Sequence, residues 1–88
     1  MNYYTIGNDG IEWVTGGPFQ SIELAKRYAM NHTIDRPGRW DRVPEIWAEK
    51  DTFACMPTMN NPKGIAPHYG KGRGPLLRFD SFTDRWMH

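Results

Sequence analysis

The chain has one cysteine, almost no net charge and no apolar run near membrane-spanning length. Each shortage removes a class of protein. Cys55 cannot close an intramolecular disulfide, and no cysteine framework or zinc-type spacing surrounds it. Within TFACM it reads as a small buried hydrophobe, because the sequence offers no base positioned to activate it. A formal charge of +1 argues against a duplex-DNA binder that relies on neutralising phosphates. The missing apolar run argues against a membrane partner, and no basic n-region followed by an apolar h-region marks the opening residues. A reduced, cytoplasmic protein is the expected class.

Catalytic constellations are also scarce. His32, His68 and His88 lie far apart with no His-x-x-x-His pair, and Ser21, Ser81 and Cys55 have no legible base partner. The sequence therefore assigns no catalytic residue, no metal ligand and no cofactor. Glu45 and Glu49 would share a face at i, i+4 if residues 44–55 were helical, a geometry used by some metal enzymes. A solvated face is the plainer reading, and a metal-dependent hydrolase stands as the remote one.

What the chain does have is aromatic bulk. Its 88 residues make one domain, 1–88, able to bury roughly 60% of the unfolded chain's surface. Trp13, Trp40, Trp47 and Trp86, with four Tyr and four Phe, compensate for shortness. Each large aromatic buries ~150–250 Å².

The pattern predicts an α+β domain: an antiparallel sheet of three to five strands with one main helix on a face. Residues 1–15 read as a hairpin, NYYTIG returning through IEWVT across Asn8-Asp9-Gly10, with Gly16-Gly17-Pro18 ending the sheet. Residues 21–32 read as the helix, capped by Ser21 or Gln20. Its apolar stripe is Ile22, Ala25, Tyr28 and Ala29, widened by Leu24. Residues 43–56 read as strands. The first is an edge or doubly covered strand, with Pro44 favouring the edge, and a helix over 44–55 is the competitor. Residues 76–88 read as a strand and a short C-terminal helix that would align Phe79, Phe82 and Trp86 on one face.

Between these elements lies the segment 57–75, PTMNNPKGIAPHYGKGRGP, a long Gly/Pro-rich basic loop. Pro57, Pro62, Pro67, Pro75, Gly64, Gly70, Gly72 and Gly74 forbid any long helix or central strand. Loops of such length in compact domains are functional or disordered. Charge is uneven as well: residues 1–25 carry Asp9, Glu12 and Glu23 with no Lys or Arg, whereas 63–78 carry Lys63, Lys71, Arg73 and Arg78 with no acid. GKGRG lacks the P-loop pattern and the βαβ context of a dinucleotide site. Its glycines and alternate cations suit a phosphate or an acidic protein surface, and with His68 and Tyr69 they also suit single-stranded nucleic acid. A second cluster, Arg36, Arg39 and Trp40, pairs cations with an indole, although Asp35 and Asp41 offset its charge.

The opening, NYYTIGNDGIEWVTGGPFQSIELAKRYAMNH, is similar to the strand–turn–strand–helix openings of many short bacterial and phage-encoded proteins. The whole chain, aromatic-rich with one cysteine and a decorated loop, resembles small phage proteins that bind and inhibit a host machine. That resemblance implies action on a larger host protein in the host cytoplasm, and it carries over no functional residue. The expected function is non-enzymatic protein binding, with Lys63, His68, Tyr69, Lys71, Arg73, Arg36, Arg39 and Trp40 as contact residues. The partner is expected to be a larger protein with an acidic surface. A single-stranded nucleic-acid or RNA binder using the same loop is the alternative.

Overall fold

A computed structural model describes residues 1–8, 13–35, 42–59, 61–70, 72–80, 83 and 85–87, with backbone alone for 8, 32–35 and 42–43. The chain is a small α+β domain. Its strands are β1 (Tyr3–Asn8), β2 (Trp13–Phe19), β3 (Arg42–Ala48), β4 (Thr52–Ala54), β5 (Ile65–Pro67), β6 (Leu77–Asp80) and β7 (Arg85–Met87). One helix, α1 (Ile22–Asp35), follows β2, and a 3-10 turn, Glu49–Asp51, joins β3 to β4. Five strands make an antiparallel sheet in the order β2-β1-β3-β6-β7, and β4 with β5 make a separate two-stranded arm.

Helix α1 starts where the sequence placed it. The Leu24 N–H donates to Ser21 Oγ at 3.2 Å, a side-chain N-cap, and Glu23 lies in the favourable first turn. The helix packs on β1, β2 and β3. Ala25 and Ala29 are buried, and small side chains there let the helix approach closely. At Gly16 the approach is closest: a Cβ would collide with the Tyr28 ring and Thr5 Oγ1. Leu24, expected to widen the apolar stripe, is 45% exposed. It stands on the outer side of the turn next to the half-buried Ile22, and the packed stripe stops short of it.

Four expectations need correction. Gly16-Gly17-Pro18 does not end the sheet, because β2 continues to Phe19 through a register shift against Tyr3–Thr5. Pro18 is tolerated there because β2 is an edge strand and the shift absorbs its missing N–H. The strand containing Pro44 is not at an edge. β3 is central and Pro44 to Ala48 are all buried, so the doubly covered reading holds and the helical one fails. The β1–β3 register shifts between Ile6 and Asn8, and pairing with β6 begins only at Glu45, so Pro44 sits in a bulge.

The C-terminal segment is a strand where a helix was expected. β7 pairs with β6, setting Trp86 opposite Phe79 with ring centroids 5.5 Å apart. A two-turn helix is marginal alone, whereas this hairpin gives backbone and aromatics partners at once. Thr83 Oγ1 donates to Asp80 Oδ2 at 3.0 Å in the connection; Phe82 lies outside the described residues. Lastly, 57–75 is interrupted by β5, whose three residues pair with β4. The turn at 9–12 lies outside the described residues.

The sheet has two differently covered faces. Under α1, Ile46 and Leu77 meet Ala25, flanked by Tyr3, Phe19, Ile22, Leu76 and Trp86. On the other side Tyr4, Ile6 and Trp47 form a second cluster, flanked by Trp13 and by Ile65 of the arm.

Candidate interaction surface

Alternation along β3 puts Glu45 and Trp47 on the arm-covered face, and a carboxylate buried there must be paired. Glu45 is 6% exposed and accepts from three residues. Trp47 Nε1 donates to Oε1 at 3.0 Å and the Tyr69 hydroxyl to the same oxygen at 2.8 Å. Arg78 takes Oε2 with both Nε, at 2.9 Å, and Nη2, at 2.8 Å. That is a forked, charge-assisted contact. The Tyr69 ring also stands edge-on to Trp47, centroids 4.9 Å apart. This knot joins β3, β6 and the segment following β5.

The arm rises from the same face. Its strands are short, and other contacts hold it. The His68 N–H donates to the Asp51 carbonyl at 3.0 Å, and Thr15 Oγ1 to the Ile65 carbonyl at 3.4 Å. At the far end the Cys55 N–H bonds the Gly64 carbonyl at 2.7 Å. Asn61, 2% exposed, organises the loop between: Nδ2 donates to the Ile65 carbonyl at 2.7 Å, and Oδ1 accepts the Ile65 N–H at 3.1 Å. Its backbone exchanges hydrogen bonds with Thr58 at 3.1 and 3.2 Å, and its carbonyl accepts the Gly64 N–H at 3.0 Å. Gly64 has φ +66°, and a Cβ there would collide with the Cys55 carbonyl, so only glycine fits. Cys55 Sγ lies 3.8 Å from the Asn61 amide nitrogen, and the residue is half-buried in this loop.

Of the contact residues named from sequence, Lys63, His68 and Arg73 are exposed. Arg73 closes a tight turn, its N–H bonding the Gly70 carbonyl at 3.0 Å with Gly72 at φ +76°. Its Nη1 contacts His68 Nδ1. His68 in turn meets Phe53 edge-on at 5.7 Å, making a surface row of Phe53, His68 and Arg73. Tyr69 is 45% exposed, yet its hydroxyl is committed to Glu45. Lys71, Arg36, Arg39 and Trp40 lie outside the described residues.

Sequence reasoning missed Phe53, Met56, Met59 and Asn61. Phe53 is 48%, Met56 83% and Met59 95% exposed. A signal for Asn61 was available, since asparagine between two prolines is turn chemistry. Nothing in the one-dimensional pattern placed the three apolar side chains outward. From Thr52 to Phe79 the chain contains no Asp or Glu. Among the described residues, neither Lys63 nor Arg73 has a carboxylate partner, and the buried Glu45 is taken by Arg78.

No protein-family profile, curated protein or solved structure matches the chain. What the geometry defines is therefore a class, a small α+β domain with a basic, apolar-tipped arm on one face of its sheet. No helix among the described residues is long and apolar enough to cross a membrane.

Proposed function

We propose that the chain is a non-enzymatic protein-binding module, of the kind small phage-encoded inhibitors represent. It acts by occupying an acidic functional surface of a larger host protein. The observation that carries this reading is the unneutralised charge beside exposed apolar area: Lys63 and Arg73 lie in a segment free of acids that also exposes Phe53. Cations with no carboxylate partner among the described residues steer association toward negative surfaces. A half-exposed aromatic beside them supplies the contact area that charge alone lacks.

The row of Phe53, His68 and Arg73 favours a second reading, a stacking platform for single-stranded nucleic acid. One experiment separates them. The purified chain and its Lys63→Glu/Arg73→Glu variant are each tested for capture of proteins from native-host extract and for affinity toward bare oligonucleotides. Protein capture that the variant loses, with no oligonucleotide binding below about 100 μM, supports the first reading. Tight oligonucleotide binding lost in the variant replaces it with the second.

A further inference from the structure

The tip of the arm joins high apolar exposure with hydrogen-bonded closure at its base. Met56 and Met59 are 83% and 95% exposed. Exposure of this order is ordinary at a chain end, as at Met1. These two instead flank Pro57-Thr58 in a loop closed by the Cys55–Gly64 and Thr58–Asn61 hydrogen bonds and by the buried Asn61 amide. Gly64, whose conformation excludes other residues, completes the closure. The fold holds two thioethers out in water beside these closing hydrogen bonds. Methionine adapts its shape to an apolar cavity, and hydrogen-bonded closure lowers the entropy lost on docking.

The charge around the tip narrows the occupant. Lys63 belongs to the same loop, and Arg73 connects to the arm through His68 and Phe53. A second copy meeting this face symmetrically would set cation against cation, since Thr52 to Phe79 holds no acid. Thioethers also lack the flat surface on which bases stack. Resting on the reading above, we propose that Met56 and Met59 are the anchors of the interface. They enter an apolar pocket on the partner, and carboxylates on the pocket's rim meet Lys63 and Arg73.

The test uses the full chain with photo-methionine at all five methionine positions, added to extract of the native host and irradiated. Met1 and Met87, 77% and 50% exposed, are internal controls for exposure alone. The expected result is cross-linking concentrated at positions 56 and 59, to partner peptides whose apolar residues are flanked by Asp or Glu. Unlabelled wild type should compete it away, with Met56→Ser/Met59→Ser at least about tenfold weaker as competitor and its melting temperature unchanged. Cross-links spread over all exposed methionines, or none that wild type competes away, overturn the proposal. So do adducts to nucleic acid or to a second copy. If the methionine variant competes fully while Lys63→Glu/Arg73→Glu does not, the anchors are wrong and the acidic-surface reading stands. If both variants compete fully, both fall.

Discussion

The two faces of the central sheet are held by different physics. Under α1 the contacts are mainly apolar, with Ala25, Ile46 and Leu77 buried beside one neutral polar side chain, Thr5, and no charged group among them. On the arm side the cluster of Tyr4, Ile6 and Trp47 is bordered by a buried carboxylate that needs three residues to satisfy it. The first arrangement tolerates any side chains that fill the volume, whereas the second fixes which groups meet. A polar knot gives little net stability but makes alternative packings costly. It suits the face where the arm must sit in one place, because Tyr69 ties the segment after β5 to the sheet.

The sharpest way to break this contrast is to truncate each face at neighbouring positions of β3. Ile46→Ala and Trp47→Ala should cost about 2–5 and 3–5 kcal/mol of unfolding free energy, since both are fully buried. Both losses should appear in denaturant titration. Only Trp47→Ala should also raise amide exchange across the arm, because Tyr69 and Ile65 lose their support. Equal exchange in both variants would mean that the two faces are not distinct units.

Next in size is Glu45→Gln, expected to cost about 1–3 kcal/mol, because it removes the charge that Arg78 pairs with while keeping acceptors for Trp47 and Tyr69. The Arg78 side chain is 57% exposed, so water compensates part of the loss. Added to Arg78→Ala, Glu45→Gln should cost less than it does alone, and a double-mutant cycle in urea measures the coupling. Additivity of the two would refute the knot.

Smaller again globally is Asn61→Ala. Its amide bonds close a surface loop, so about 1–2 kcal/mol of local stability is lost. Exchange protection should fall at Cys55, Gly64 and Ile65 while the sheet amides hold theirs. Loss of protection in β1 or β3 would show that the arm and sheet unfold together.

The contrast between faces also explains what the sequence made legible. Hydrophobic periodicity reports apolar packing, so α1, the first hairpin and the α+β class were readable from Ile22, Ala25, Tyr28 and Ala29 and from alternation in 3–8 and 13–15. Periodicity is blind to a buried carboxylate. Glu45 on the parity of Trp47 made β3 look like a compromise between edge and core, when its acid was paired with residues 24 and 33 positions away. At the C terminus Phe79 and Trp86 fit a helical face and a hairpin equally well, and only the β6–β7 pairing decides. The site divided in the same manner. The basic composition of 63–73 was plain, but nothing in the pattern marked Phe53, Met56 and Met59 as outward-facing.

The smallest expected effect lies at the margin of the arm-side cluster and depends on pH. The Tyr4 ring packs with Ile6 and Trp47, and its hydroxyl reaches Glu49 Oε2 at 3.5 Å, an oxygen shared with Asn2 Nδ2 at 3.2 Å. Burial, and then the Glu49 charge and hydrogen bond, raise its pKa above the ordinary tyrosine value of about 10. A raised folded value means that the unfolded chain releases this proton first on going alkaline. In that range the native state binds more protons than the unfolded one, and unfolding becomes easier as pH rises. The contribution is therefore intact below about pH 10 and declines above it toward the folded pKa. Tyr4→Phe should leave stability near neutrality almost unchanged, because the lost contact is at the limit of hydrogen-bond length. It should also flatten the alkaline fall in denaturation midpoint relative to wild type. Glu49→Gln should make that fall smaller and complete at a lower pH, because it removes part of what holds the folded pKa above the unfolded one. If both variants follow the wild-type alkaline profile, ionisation of Tyr4 is not coupled to folding, and the arm-side cluster extends no further than its apolar members and the Glu45 knot.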